Sequence, residues 1–132
     1  QINRLDLYRN KREYLETCYR KFLNSVDGLD FIETPQEGEK SDHHLFTVLA
    51  PKRVSRDEVI HRMQKYGIGC AVNYQAIHNL TYFKKTFNYK PEDFPVANEI
   101  GNRTISLPLY SRLSEENVKK ICVIFKKIIS SL

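Results

Sequence analysis

The stretch SRDEVIHRMQKYGIGCAVNY, Ser55 to Tyr74, decides how the chain folds, because a helix start, a helix stop and a strand follow one another in it. Ser55 with Glu58 three residues on is a capping box: the serine hydroxyl accepts from the Glu58 amide while the glutamate reaches back. Val59, Ile60, Met63 and Tyr66 supply the buried face of the helix so begun. Gly67 can take the left-handed backbone of a helix stop, and Ile68 to Tyr74 then reads as a strand.

Before this unit, HHLFTVLAP (43–51) is a β-prone run ended by Pro51, and LDFIETP (29–35) is a shorter one ended by Pro35. The loop-like QEGEKSD (36–42) between them predicts antiparallel pairing. Towards the N-terminus, Ile2, Leu5, Tyr8, Leu15, Cys18, Tyr19, Phe22, Leu23 and Val26 recur at helical spacing, predicting a long amphipathic helix that closes near Gly28. After the unit, Tyr82, Phe83, Phe87 and Tyr89 are expected to clamp a surface segment down. FPVANEIGNR (94–103) reads as a short helix begun by Pro95, and TISLPLY (104–110) as a strand closed by Pro108. Ser114 caps a second long helix whose stripe is Val118, Ile121, Cys122, Phe125, Ile128 and Ile129. The prediction is one α+β domain over residues 1–132: a small antiparallel or mixed sheet of about four strands, backed by two long terminal helices.

Composition narrows the function classes. The chain has 132 residues, 41% of them apolar, enough for one core. No apolar run approaches the roughly 20 residues that cross a bilayer, and the charged N-terminus is no secretory signal, so a soluble protein without a membrane partner is expected. With no initiating Met, and Gln1 leading straight into a helical pattern, an excised or processed piece is expected. Cys18, Cys70 and Cys122 are odd in number and set among apolar neighbours, which predicts buried free thiols and a reducing cytoplasm. The charge of +5 favours anions of some kind. Basic and acidic residues nevertheless alternate, as in RNKREYLE (9–16), which argues against a nucleic-acid surface.

Self-contained catalytic motifs are absent: the sequence has no Gly-rich phosphate loop, no G-x-S-x-G and no H-E-x-x-H. His43 and His44, adjacent on the expected strand, point to opposite faces, and His61 lacks an i+4 partner, so no metal site is predicted. One constellation carries chemistry. The strand of small residues in CAVNYQAIH delivers Asn73 and Tyr74 at its end, with His78 about one turn further on. An amide, a hydroxyl on a flat ring and an imidazole suit a sugar or a nucleotide; equally, Tyr74 and His78 can fasten the aromatic segment to the core.

RDEVIHRMQKYGIGCAVNYQAIHNLTYFKK (56–85) followed by FPVANEIGNRTISLPLYSRLSEENVKKICVIFKKII (94–129) resembles the carboxy-terminal domain of DegT/DnrJ/StrS-type nucleotide-sugar aminotransferases. The likeness runs nearly end to end. It implies the small domain of an aspartate-aminotransferase-like, pyridoxal-phosphate-dependent parent. That parent would move an amino group from an amino acid, commonly glutamate, to a nucleotide-linked keto sugar. It also implies two partners: a large cofactor domain in the same chain, which supplies the catalytic lysine and the phosphate contacts, and a second subunit. No catalytic or cofactor-binding residue is then expected in these 132 residues, and no bound cofactor. Asn73, Tyr74 and His78 are expected to recognise substrate at the mouth of the parent's active site. Many members carry His where this chain has Asn73, replacing a group that can be charged by a neutral amide. Tyr110 falls either in the core or on the site rim.

Two alternatives carry their own discriminators. A stand-alone basic interaction or RNA-binding module would show surface aromatics on neighbouring strands, flanked by Lys or Arg. A pyridoxal enzyme acting on amino acids would aim a free guanidinium at the site, with Arg103 and Arg112 as candidates.

Overall fold

The computed structural model describes residues 2–32 and 41–132. After a 3₁₀ turn at Ile2–Arg4 come α1 (Leu5–Leu23), β1 (Asp30–Phe31), β2 (Phe46–Leu49) and α2 (Arg56–Lys65). Then follow α3 (Thr81–Phe87), α4 (Pro95–Arg103), β3 (Thr104–Leu107) and α5 (Glu115–Ser130), with 3₁₀ turns at Ile77–Asn79 and Pro91–Asp93. The expected ends of LDFIETP and most of QEGEKSD lie outside the described residues.

The capping unit folds as its sequence dictates, in part. Ser55 Oγ accepts from the Glu58 amide at 3.4 Å, but the Glu58 carboxylate turns to Arg62 Nε at 2.6 Å. An i,i+4 ion pair replaces the reciprocal half of the box. Gly67 ends the helix at φ 71°. Ser114 caps α5 by accepting from the Asn117 amide at 3.2 Å.

The sheet is antiparallel throughout, in the order β1-β2-β3. Phe31 faces Val48, and Phe46 to Leu49 pair with Leu107 to Thr104. Alternation therefore puts Phe46, Val48, Ile105 and Leu107 on one face, and all four are buried in the core. Covering them are Leu15, Tyr19 and Leu23 of α1, Val118, Phe125 and Ile129 of α5, and Val59 and Met63 of α2. Tyr19 stacks on Phe46 with ring centroids 4.7 Å apart, and its hydroxyl donates to the Pro108 carbonyl at 2.8 Å. The two terminal helices back the sheet as the periodicity predicts. Only the second half of α1 reaches the core, however; Leu5 and Leu7 stay exposed.

Two expectations about strands need correction. The described residues hold three strands, not about four. Ile68 to Tyr74 joins the sheet only through an Ala71–Ser106 bridge, because Gly69 and Ala71 offer little side chain to pack and the chain turns away at Asn73. His43 and His44 precede β2 instead of alternating along it. His43, at φ 45°, places Nδ1 2.9 Å from Glu16 Oε2, and His44 is exposed.

Arg103 closes the junction of α4 and β3. Only 9% exposed, it donates Nε to the Ala50 carbonyl at 2.7 Å and Nη1 to Glu99 at 2.9 Å. Its Nη2 reaches Asp30 at 2.5 Å and the Gly28 carbonyl at 3.4 Å. Lys52, then Arg103, hold the Glu99 carboxyl below the usual carboxylate range. From the other side Arg56 donates to the Gly101 carbonyl at 3.1 Å. Asp30 and Glu99 are partly solvated, so screening weakens those pairs; the stranded carbonyls dominate. Arg103→Met is expected to lose about 2–3 kcal/mol in urea unfolding. Arg103→Lys should recover less than half of that, because an ammonium cannot reproduce the fork. A wild-type midpoint in the Met variant would contradict this.

Candidate functional site

Between the Ala71 bridge and β3 the chain makes an excursion that carries all three predicted site residues. Asn73 stays on the sheet. Its Nδ2 donates to Ser106 Oγ at 3.2 Å, its carbonyl accepts from Thr104 Oγ1 at 3.3 Å, and Ser106 Oγ lies 2.9 Å from Thr47 Oγ1. Thr47, Thr104 and Ser106 belong to the face opposite the core, so that face is a layer of hydroxyls capped by one amide. Beside it lies a cleft of about 290 Å³ lined by Glu16, Arg20, His44, Thr47, Asn73 and Thr104. Arg20 lies over the Phe31 ring at 5.3 Å and donates to Glu16 at 2.8 Å. Glu16 therefore stands between two basic groups, Arg20 and His43.

Tyr74 and His78 go elsewhere. The backbone turns sharply after Asn73, and Ala76 packs under Gly101 of α4 so closely that a Cβ there would sit 2.6 Å from the Ala76 amide nitrogen. His78 then folds inward, 5% exposed, with its ring 5.0 Å from that of Phe94. Tyr74 is 76% exposed. The two line a groove of about 560 Å³ together with Ile77, Phe83, Tyr89 and Phe94, whose exposed atoms are almost all carbon. His78 Nε2 has no hydrogen-bond partner among the described residues. Burying such a nitrogen unpaired costs about 1–3 kcal/mol.

The structure thus brings Tyr74 and His78 together and sets Asn73 apart, in a polar cleft on the other side of the turn. Sequence reading missed the hydroxyl layer, although the alternation Thr-Ile-Ser-Leu in 104–107 signals it. It also missed Gly101, for which a glycine inside a helical pattern is the only hint. Gly101→Ala gains about 1 kcal/mol of helix propensity, but it drives a methyl into backbone. A net loss of about 1–2 kcal/mol is expected, with the Tyr74 and His78 NMR signals shifted and the Phe125 signals in place. A stabilised variant would contradict the contact.

No described lysine is buried. Lys52 pairs with Glu99 and Lys120 with Glu116, Lys126 donates to Ser25, and neither cleft described above is lined by a lysine. These residues do not fit a covalently held pyridoxal group. No cluster of three metal-ligating side chains occurs among the described residues, and no described helix is long and apolar enough to cross a membrane. Arg103 is consumed by internal acceptors, whereas Arg112 is exposed before α5. The sheet face opposite the core carries hydroxyls, with Thr104 and Ser106 buried, not the exposed aromatics of an RNA-binding sheet.

Comparison with known proteins agrees with the resemblance read from the sequence. The model of the DegT/DnrJ/EryC1/StrS aminotransferase family matches residues 1–126, and the chain belongs to that family. The spore coat polysaccharide biosynthesis protein SpsC of Bacillus subtilis is 31% identical over 98% of this chain and 34% of its own length. The dTDP-4-dehydro-2,3,6-trideoxy-D-glucose 4-aminotransferase of Saccharopolyspora spinosa is 28% identical over 98% of this chain and 32% of its own. Among solved structures, PseC of Helicobacter pylori, an aminotransferase of pseudoaminic acid biosynthesis, superposes with a TM-score of 0.88 at 23% identity, covering 100% of this chain and 35% of that one. The fold is shared, and the chain spans about a third of the length of the relatives it matches.

Proposed function

We propose that residues 1–132 act as the C-terminal small domain of a pyridoxal-phosphate-dependent aminotransferase, which moves an amino group from glutamate to a keto sugar carried on a nucleoside diphosphate. Family membership over nearly the whole chain carries the reading. The lack of a buried lysine among the described residues supports its second half: the cofactor, and the chemistry it supplies as an electron sink, belong to a large domain of the same cytoplasmic enzyme, which works as a dimer.

In this reading the present chain recognises substrate. The exposed Tyr74 ring offers a flat surface on which a sugar or base rests. Asn73 places a neutral amide where an imidazole would titrate, so its own contribution does not change with pH. His78 sits behind Tyr74 and orders the turn through Phe94.

The test is amine transfer by the full-length enzyme to a panel of nucleotide-linked keto sugars, with glutamate as donor and the amino sugar detected by mass spectrometry. Tyr74→Ala is expected to raise KM for the sugar nucleotide at least tenfold, with a smaller change in kcat. Transfer confined to amino-acid and keto-acid pairs would overturn the proposal.

A further inference from the structure

The groove beside His78 is lined almost wholly by apolar atoms, and its walls are unusual. α3 has no buried residue and packs chiefly on the 3₁₀ turn before it. Its aromatics and the two that follow it meet in a row: Tyr82 is edge-on to Phe83, Phe83 stacks on Phe87, Phe87 stacks on Tyr89, and Tyr89 is edge-on to Phe94. Ile77 is 61% exposed and Val96 is 70% exposed. A seven-residue helix does not hold itself in water, and an apolar face of this extent marks an interaction surface.

The segment also shows what it fits. Lys84, Lys85 and Lys90 balance Glu92, Asp93 and Glu99, so neither nucleic acid nor an acidic peptide is favoured electrostatically. With almost no polar atom exposed in the groove, a sugar would leave its hydroxyls unpaired there. One polar requirement remains, the unpartnered Nε2 of the buried His78. Two thirds of the length of the relatives lies outside the part that this chain matches, and in the aminotransferase reading a body of that size is the occupant expected beside the groove.

We infer that the groove is the seat of the remaining two thirds of the enzyme: an apolar side chain of that body enters between Tyr74, Ile77 and Phe94, accompanied by a hydrogen-bonding group for His78 Nε2. The inference rests on the aminotransferase reading and assigns it an interface. Substrate recognition then falls chiefly to the exposed rim of Tyr74 and to the polar cleft at Asn73, with the groove itself filled by protein.

Hydrogen exchange of peptides within residues 74–90 tests this in the full-length enzyme and in the 132-residue chain. At least tenfold slower exchange is expected in the full-length enzyme. Ile77→Asp should restore fast exchange there and lower its thermal midpoint. The same substitution should leave the midpoint of the 132-residue chain unchanged, since in it the side chain faces water. Equal exchange in the two proteins overturns the inference. So does protection in the short chain itself, accompanied by dimerisation that Ile77→Asp abolishes, because the occupant is then a second copy. Visible absorption of bound cofactor in the same full-length sample separates the two claims. Cofactor present with an unprotected groove defeats the interface alone, and a protected groove without cofactor defeats the aminotransferase reading alone.

Discussion

Between pH 8 and pH 11 the chain is expected to lose about 4 kcal/mol of stability, a large share of what a domain of this size possesses. Cys122, almost wholly buried between α1 and α5, has its thiol pushed by burial from 9.0 up to about 12, with Lys126 only partly opposing. Burial likewise raises Tyr19 far above 10.0, with the nearby thiols adding to it. Each group stays protonated in the fold while the unfolded chain releases its proton. The unfolded state therefore binds fewer protons from about pH 9 upward, and stability falls as pH rises. With about 1.4 kcal/mol per pH unit, Cys122 contributes roughly 3 kcal/mol by pH 11 and Tyr19 roughly 1. Cys70, raised by burial to about 11, acts in the same direction from a more solvated position. Urea midpoints across this range measure the slope. Cys122→Ala should flatten it between pH 9 and 10, and Tyr19→Phe should flatten it above pH 10. A level profile to pH 10.5 would mean that the thiol at the helix interface is not sequestered.

Supplied with pyridoxal phosphate, glutamate and a nucleotide-linked keto sugar, the 132-residue chain alone is expected to form no amino sugar. A lysine that captures the cofactor needs an amine whose proton is lost near neutrality, and burial or a neighbouring cation is what achieves that. Here the described ammonium groups lie on helix exteriors or in exposed ion pairs, as at Lys52 and Lys120. Borohydride reduction followed by peptide mapping should find sparse label scattered over several lysines. Stoichiometric label at one of them, or turnover by the chain unaided, would show that the reactive amine lies within it.

Legibility from sequence followed the strength of the local signal. The capped helices α2 and α5, the stop at Gly67 and the antiparallel pairing of β1 with β2 are written in residues that act on their near neighbours. Ile68 to Tyr74 misled because small apolar residues satisfy a strand pattern without supplying the side chains that hold one. The aromatic segment lies on the surface as expected, but Tyr82 and Phe87 do not clamp it to the core: each packs against Phe83 and stays exposed to water. For the site, proximity in sequence suggested that Asn73, Tyr74 and His78 act together. The turn after Asn73 separates them, and what enforces that turn, Gly101 against Ala76, lies too far along the chain for any local pattern to reveal.

Ala71 and Ser106 exchange both of their backbone hydrogen bonds, at 3.1 Å and 2.8 Å, so the chain leaves the sheet and rejoins it at one doorway. What lies between is tied to itself, through Asn79 to Asn98 at 2.8 Å and His78 against Phe94. Doubling the length of such a loop costs only about 0.6 kcal/mol in closure entropy. The stretch from Tyr74 to Asn98 behaves as a cassette: it can be exchanged in evolution or by a protein engineer while the hydrophobic layers beneath go on being built by residues outside it.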